Sequence, residues 1–239
     1  MSEALEQARP EQGAFMRLLG YPLKRRRSRG QALVEFSLII PIFLALIVAI
    51  AEFSVMFTSY ISVGFASHDA AEVAAIYGNT AGADCAVLQR IGNDIMAPAN
   101  RAQIATVDIY WVNTSSPNGS PVTGAENIYA YDGGSHQCTK PDGSVISVPF
   151  PISNVQSTEA TSGGYPEVQR CNVNQAIGCA SGHTTIDTIA VKITYQYYWI
   201  TPLPQMISCL LSLPHACGGG SGTGPLFTAT NMMRLEPVL

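Results

Sequence analysis

The residues best placed to do chemistry lie at a junction. Gly30 and Gln31 join a basic run, Lys24-Arg25-Arg26-Arg27-Ser28-Arg29, to a long apolar stretch, and Glu35 stands five residues after the glycine, just inside that stretch. A protease cleft can grip the Gly30–Gln31 bond, because glycine presents an extended backbone with no side chain in the way. Cutting that bond creates an α-amino group on Gln31, a cation four residues from Glu35, and i,i+4 neighbours share a helix face. Glu35 needs such a partner, since an acidic residue at the centre of a membrane helix costs roughly 2.5–3.5 kcal/mol. The cation could belong to the same chain or to the next copy in a stack of helices, where the pair would set the alignment between copies. Unpartnered, Glu35 would be an interfacial carboxylate snorkelling to water.

Other candidate groups point to less. His68, Asp69 and Glu72 form an acid–base-like cluster on a helical pattern, but no nucleophile motif accompanies them, and a solvated helix face explains them. Cys171, Cys179 and His183, or Cys209, His215 and Cys217, could suggest zinc, yet neither set has the CxxC spacing of a structural site. No phosphate loop or dinucleotide fingerprint is present. The expectation is a chain with no catalytic residues, no cofactor and no metal.

The elements that must position Glu35 begin with the apolar stretch itself. Phe36–Phe57 reads FSLIIPIFLALIVAIAEFSVMF and as a helix measures roughly 33 Å, enough to cross a bilayer core. Pro41 inside it removes a backbone hydrogen bond, so a kink or local melting is expected there. Glu52, near the outer end, is expected at the interface, with pairing between subunits as the alternative. Charge fixes the direction of insertion. Residues 1–30 hold seven of the thirteen Lys and Arg against three acids, a net +4; the remainder holds six bases and fourteen acids, a net −8. Lys and Arg stay on the cytoplasmic side, where anionic headgroups also favour them, and the acidic portion is exported. An acidic exported portion argues against nucleic-acid binding.

Three readings of this N-terminal region compete: an uncleaved signal anchor, a secretory signal cut after Ala49-Ile50-Ala51, or a prepilin-type signal cut between Gly30 and Gln31 with the helix retained. Arg29-Gly30-Gln31-Ala32-Leu33-Val34-Glu35-Phe36, followed by the Pro41-containing apolar run and by Glu52-Phe53, resembles the TadE-like pseudopilins (minor pilins) of tight-adherence, type IVb pili. The resemblance implies cleavage after Gly30 by a membrane aspartic prepilin peptidase, with Glu35 as the fifth mature residue. Gly30 and Gln31 would then be the processing site, Glu35 and Phe36 assembly residues, and Pro41 the kink in the membrane helix. The implied partners are the peptidase, other pilin or pseudopilin subunits, pilus-assembly membrane proteins and membrane lipid. The implied location is the cytoplasmic membrane, single-pass with the N-terminus inside, and the cell-surface pilus. The implied role is pilus assembly and surface attachment, with no enzymatic activity. The alternative is a membrane-anchored or secreted ligand-binding module outside any filament.

The expected organisation is a basic leader over 1–30, a transmembrane helix over 31–57 continuing to about 78, and an exported α+β head over 79–239. Val63, Ala66, Ala70, Val73, Ala74 and Tyr77 have the spacing of one helix face packing on that head. Asp84–Met96 reads as a second helix ending before Pro98. Ile104–Val112, Asn127–Tyr131 and Leu226–Leu235 read as strands. Ile186–Trp199 is the strongest, with Ile189, Val191, Ile193, Tyr195, Tyr197 and Trp199 on one face. Leu203–Leu213 suggests a short apolar helix or buried loop. Segments 113–125, 132–185 and 214–225 read as long loops, with turns at Asp132-Gly133 and Asp142-Gly143. All six cysteines, Cys85, Cys138, Cys171, Cys179, Cys209 and Cys217, follow the apolar stretch, so they are expected as disulfides in an oxidising compartment, tying these loops. The short separations favour Cys171 with Cys179 and Cys209 with Cys217, leaving Cys85 for Cys138. The fold class is α+β: a long pilin-type helix followed by a small antiparallel-sheet head.

Overall fold

The computed structural model describes residues 30–116, 119–152, 164–172, 179, 185–201 and 223–237. The leader ahead of Gly30, the Leu203–Leu213 segment, and Cys209 and Cys217 lie outside them. The chain divides into two units, one ending at Leu46 and one running from Ile47 to Leu239.

In the first unit the described residues are Gly30 and the start of helix α1, Gln31–Tyr77. The Gly30 carbonyl accepts the Val34 N–H at 3.1 Å, so the Gly30–Gln31 peptide sits at the first turn. The helical run is unbroken at Pro41, although that residue has no N–H to give the Ser37 carbonyl. Local melting at Pro41 is therefore not seen: one lost bond is a small deficit inside so long a helix. Every residue from Gln31 to Leu46 is exposed, Leu33 at 70% and Ile42 at 71%. Left in water, such side chains forgo roughly 25 cal/mol per Å² of apolar surface. The stretch is long and apolar enough to cross a membrane.

The second unit is built on a four-stranded antiparallel sheet in the order β2-β1-β5-β6. Its strands are β1 (Ile104–Val112), β2 (Pro121–Ala130), β5 (Thr188–Tyr198) and β6 (Thr223–Arg234). A separate hairpin pairs β3 (His136–Thr139) with β4 (Val145–Val148). This hairpin, and the start of β2 at Pro121, fall where long loops are expected from sequence. Four-residue strands are too short for a period-two pattern to stand out, and the turn at Asp142-Gly143 is their one clear signal.

One sheet face carries the core. On β5 Ile189, Val191, Ile193, Tyr195 and Tyr197 are buried, and Val107 and Ile109 of β1 join them. Their pairing sets Ile109 against Val191 and Val107 against Ile193. The distal half of α1 contributes to the same core through Val63, Ala66, Ala70, Ala71 and Ala74, with helix α2 (Ala83–Asp94) adding Val87, Leu88 and Ile91. Small side chains on α1 allow a close approach to the sheet. The Ser67 hydroxyl, fully buried, lies 2.9 Å from the Val191 carbonyl and 3.3 Å from that of Ala229. The buried stripe of α1 starts at Glu52, continues through Ser59, and has Val55 and Met56 packed beside it. The head thus recruits α1 from residue 52 onward, well before the helix ends.

Candidate functional site

At the N-terminal boundary, Gly30, Gln31, Glu35 and Phe36 are all exposed. Among the described residues, apart from its chain neighbours, nothing lies within 4 Å of where a Cβ on Gly30 would sit. The Gln31 side-chain amide donates to Glu35 Oε1 at 3.1 Å, one turn apart on α1. The i,i+4 placement expected from sequence therefore brings these two residues together on the intact chain. An α-amino group freed on Gln31 would lie on the same first turn.

At Glu52 the structure adds partners that the sequence reading does not supply. This carboxylate, expected near the outer membrane interface, is only 5% exposed and is bonded by its own head. The Tyr197 hydroxyl donates to Oε1 at 2.8 Å, the Ile200 N–H to Oε1 at 2.9 Å, and the Thr201 N–H to Oε2 at 3.0 Å. Three donors on one carboxylate are what a charge needs to leave water. Burial, and then the Glu52 carboxylate, push the Tyr197 phenol up, so it stays protonated and able to donate. These partners lie 145 to 149 residues further along the chain. The sequence signal is a lone charge in an apolar helix and a tyrosine at the end of the strongest strand; nothing local connects them.

A second polar cluster, around Asp84 at the start of α2, has no counterpart in the sequence reading. Asp84 Oδ2 accepts from Asn127 Nδ2 at 2.9 Å, from the Tyr129 hydroxyl at 2.8 Å and from Arg170 Nη2 at 2.8 Å. Arg170 has no exposed side-chain surface and stacks on the Tyr165 ring, 4.7 Å from its centroid. Glu167 accepts the Gly82 N–H at 2.5 Å and the Asp84 N–H at 2.6 Å, capping α2 where its dipole favours negative charge. The Tyr165 hydroxyl and the Cys171 N–H both donate to Asp187 Oδ2 at 2.8 Å. Burial pushes the Tyr129 and Tyr165 phenols up, which keeps both as donors. The cluster ties α2, β2 and the 164–172 loop to the start of β5. Asp84 and Arg170 are paired within the fold, while Arg170 Nε and Nη1 are buried with no hydrogen-bond partner among the described residues.

The disulfides Cys85–Cys138 and Cys171–Cys179 reinforce the same region, the second expected from its short separation and the first by elimination. A bridged Cys171 and Cys179 are not thiolate ligands. His68, Asp69 and Glu72 do converge, with ligand-type atoms within 4.8 Å. Asp69, however, is paired with Arg90 at 2.8 Å, and that hydrogen bond holds its carboxyl below the usual range. His68 and Glu72 are exposed, in keeping with a solvated helix face.

With this geometry in place, similarity to known proteins narrows the reading. Residues 30–72 match the family described as TadE-like protein. The chain carries a TadE-like segment. The match opens at Gly30, takes in Glu35 and Glu52, and ends at Glu72 within α1, before the sheet begins. No curated protein and no solved structure matches the chain.

Proposed function

We propose that this chain is a minor pilin of the tight-adherence type, cut between Gly30 and Gln31 by a prepilin peptidase and held in the cytoplasmic membrane by α1 until it enters a pilus. The observation that carries this is the TadE-like segment opening at Gly30, with Glu35 five residues on along an exposed apolar helix. In this reading the leader stays cytoplasmic, the head is exported, and the chain catalyses nothing. Glu35 supplies the charge that the new Gln31 ammonium of its own or a neighbouring copy would meet, and Phe36 packs beside it in the bundle. Pro41 offers the bundle a point of lower helical stiffness.

The packing of Glu52 supports retention of the helix. A secretory cut after Ala51 would leave Glu52 as the N-terminal residue and remove the helical turn preceding it. Sequencing the mature N-terminus tests the proposal, with Gln31 expected. A start at Met1 or at Glu52 would refute processing at Gly30. A Glu35→Ala variant should be processed normally yet be depleted from purified pili; normal piliation would remove the role given to Glu35.

A second reading, a ligand-binding module outside any filament, draws on a shallow groove between α1 and β6 lined by Ile61, Gly64, Phe65, His68 and Asn231. A mature protein starting at Gln31 but absent from pili would favour it.

A further inference from the structure

The end of the head beside Glu52 carries an unusual surface. Phe53 and Phe57, one turn apart on α1 with ring centroids 6.3 Å apart, are 60% and 53% exposed. Tyr198 and Ile200, next to the residues that bond Glu52, are also exposed, as is Leu226 on the neighbouring strand, where it pairs with Gln196. Trp199 lies between Tyr198 and Ile200, half-buried against the Tyr197 ring at 5.7 Å. Charge is sparse in the two segments that form it, although the exposed Arg101 stands nearby, two residues from Gln103, whose side chain meets the Tyr195 hydroxyl. No Asp, Glu, Lys or Arg stands between Lys192 and Arg234, and between Glu35 and Asp69 Glu52 is the lone example, already sequestered.

We propose that this end of the head is a lipid-docking surface, seated in the headgroup layer of the bilayer that α1 crosses; the proposal rests on the membrane-span reading above. Continuity of the chain specifies the occupant. The uncharged apolar run of α1 reaches Ala51, and Glu52 with its three donors from the head comes directly after it. From Phe36 to Ala51 the uncharged run measures about 24 Å, so a hydrocarbon core of roughly 30 Å that begins at Phe36 ends about one turn past Glu52. The headgroup regions add roughly 5–8 Å on each side. Phe57 lies five residues, or about 7.5 Å, beyond Glu52, so its exposed ring falls within that layer. Trp and Tyr favour such interfaces, having an apolar body and a polar tip. Binding Glu52 within the head serves the docked state, because a bare carboxylate here would resist approach to lipid.

The two tryptophans test this within one molecule. Trp111 pairs with Ile189 on β1, and Trp199 lies ten residues further along from Ile189, roughly 33 Å away at strand spacing. The full chain, as Trp111→Phe and as Trp199→Phe, is placed in phosphatidylcholine vesicles whose acyl chains are brominated near the headgroups. Trp199 emission should drop with brominated lipid and resist aqueous iodide, while Trp111 emission should be indifferent to bromine. Ile200→Asp should reduce the bromine quenching of Trp199 while the protein still floats with the vesicles. Two outcomes overturn the docking surface alone: floated protein whose Trp199 is unquenched and open to iodide, or unquenched and shielded, the latter meaning that another copy covers the patch. Protein that fails to float refutes the span as well.

Discussion

Replacing Glu52 by alanine probes the hydrogen bonds that join α1 to the end of β5. The substitution removes one acceptor group from three donors: the Tyr197 hydroxyl and the Ile200 and Thr201 amides. A hydrogen bond to a charged group contributes about 1.5–3 kcal/mol, but these three share one carboxylate and are not additive. Ile200 is exposed, so water can reach part of the vacated site and recover some of the loss. A net local cost of about 2–4 kcal/mol results. Amide exchange at Ile200 and Thr201 reads it directly, since a tenfold change in opening corresponds to about 1.4 kcal/mol. Exchange at both positions should accelerate by roughly 30- to 700-fold in the full chain. Core amides of β5 such as Val191 should change far less. Glu52→Gln keeps one carbonyl but turns an NH2 toward a donor, so its effect should lie between alanine and wild type. Tyr197→Phe leaves the carboxylate and both amides but removes one bond to a charged group, and should cost about 1.5–3 kcal/mol. Wild-type exchange at Ile200 and Thr201 in Glu52→Ala would refute this account of how the head engages α1.

Three further predictions concern the head. Arg170→Ala strands the Asp84 carboxylate, 1% exposed, and should destabilise the full chain by about 3–5 kcal/mol in a urea titration; Asp84→Asn with Arg170→Met should recover much of that loss, and failure to do so would mean that the cation stabilises by packing alone. Gly82 has φ +87° and a Cβ there would fall 2.2 Å from the Thr139 carbonyl oxygen, so Gly82→Ala should lower the melting temperature and perturb the β3–β4 amides, whereas a silent substitution would contradict this close approach. Asp142 is held down at about 2 by the Ser144 side chain and amide, followed by Lys140; a depressed carboxyl stabilises above its ordinary value near 3.8 and loses that effect as pH falls through about 2, so the Ser144 amide resonance should shift between pH 4 and 2 and stay constant above 5.

How much of this is legible in the sequence depends on how local each signal is. The apolar run, the Gly30-to-Glu35 spacing and the alternation along β5 are patterns within a few turns or one strand, and each corresponds to the element found. Cysteine separation anticipates Cys171–Cys179, eight residues apart, and elimination suggests Cys85–Cys138. The β3–β4 hairpin escapes because each four-residue strand holds only two repeats of the period-two pattern, too few to stand out. Asp84 and Arg170 escape because each is an ordinary charged residue until the chain brings it beside its partner, 86 positions away.

The sequence by itself determined the long apolar helix, the Gly30-to-Glu35 motif with its carboxylate, the TadE-like segment and the α+β class of the head. The TadE-like segment is a resemblance to a known family; the others come from composition, spacing and periodicity, which act along the chain. Only the tertiary structure decided the strand order β2-β1-β5-β6 and the partners of Glu52. Glu35 meets Gln31 one turn away, as helical spacing dictates. Glu52 meets Tyr197, Ile200 and Thr201, because a buried charge takes whichever donors the fold delivers, and these arrive from the far end of a central core strand.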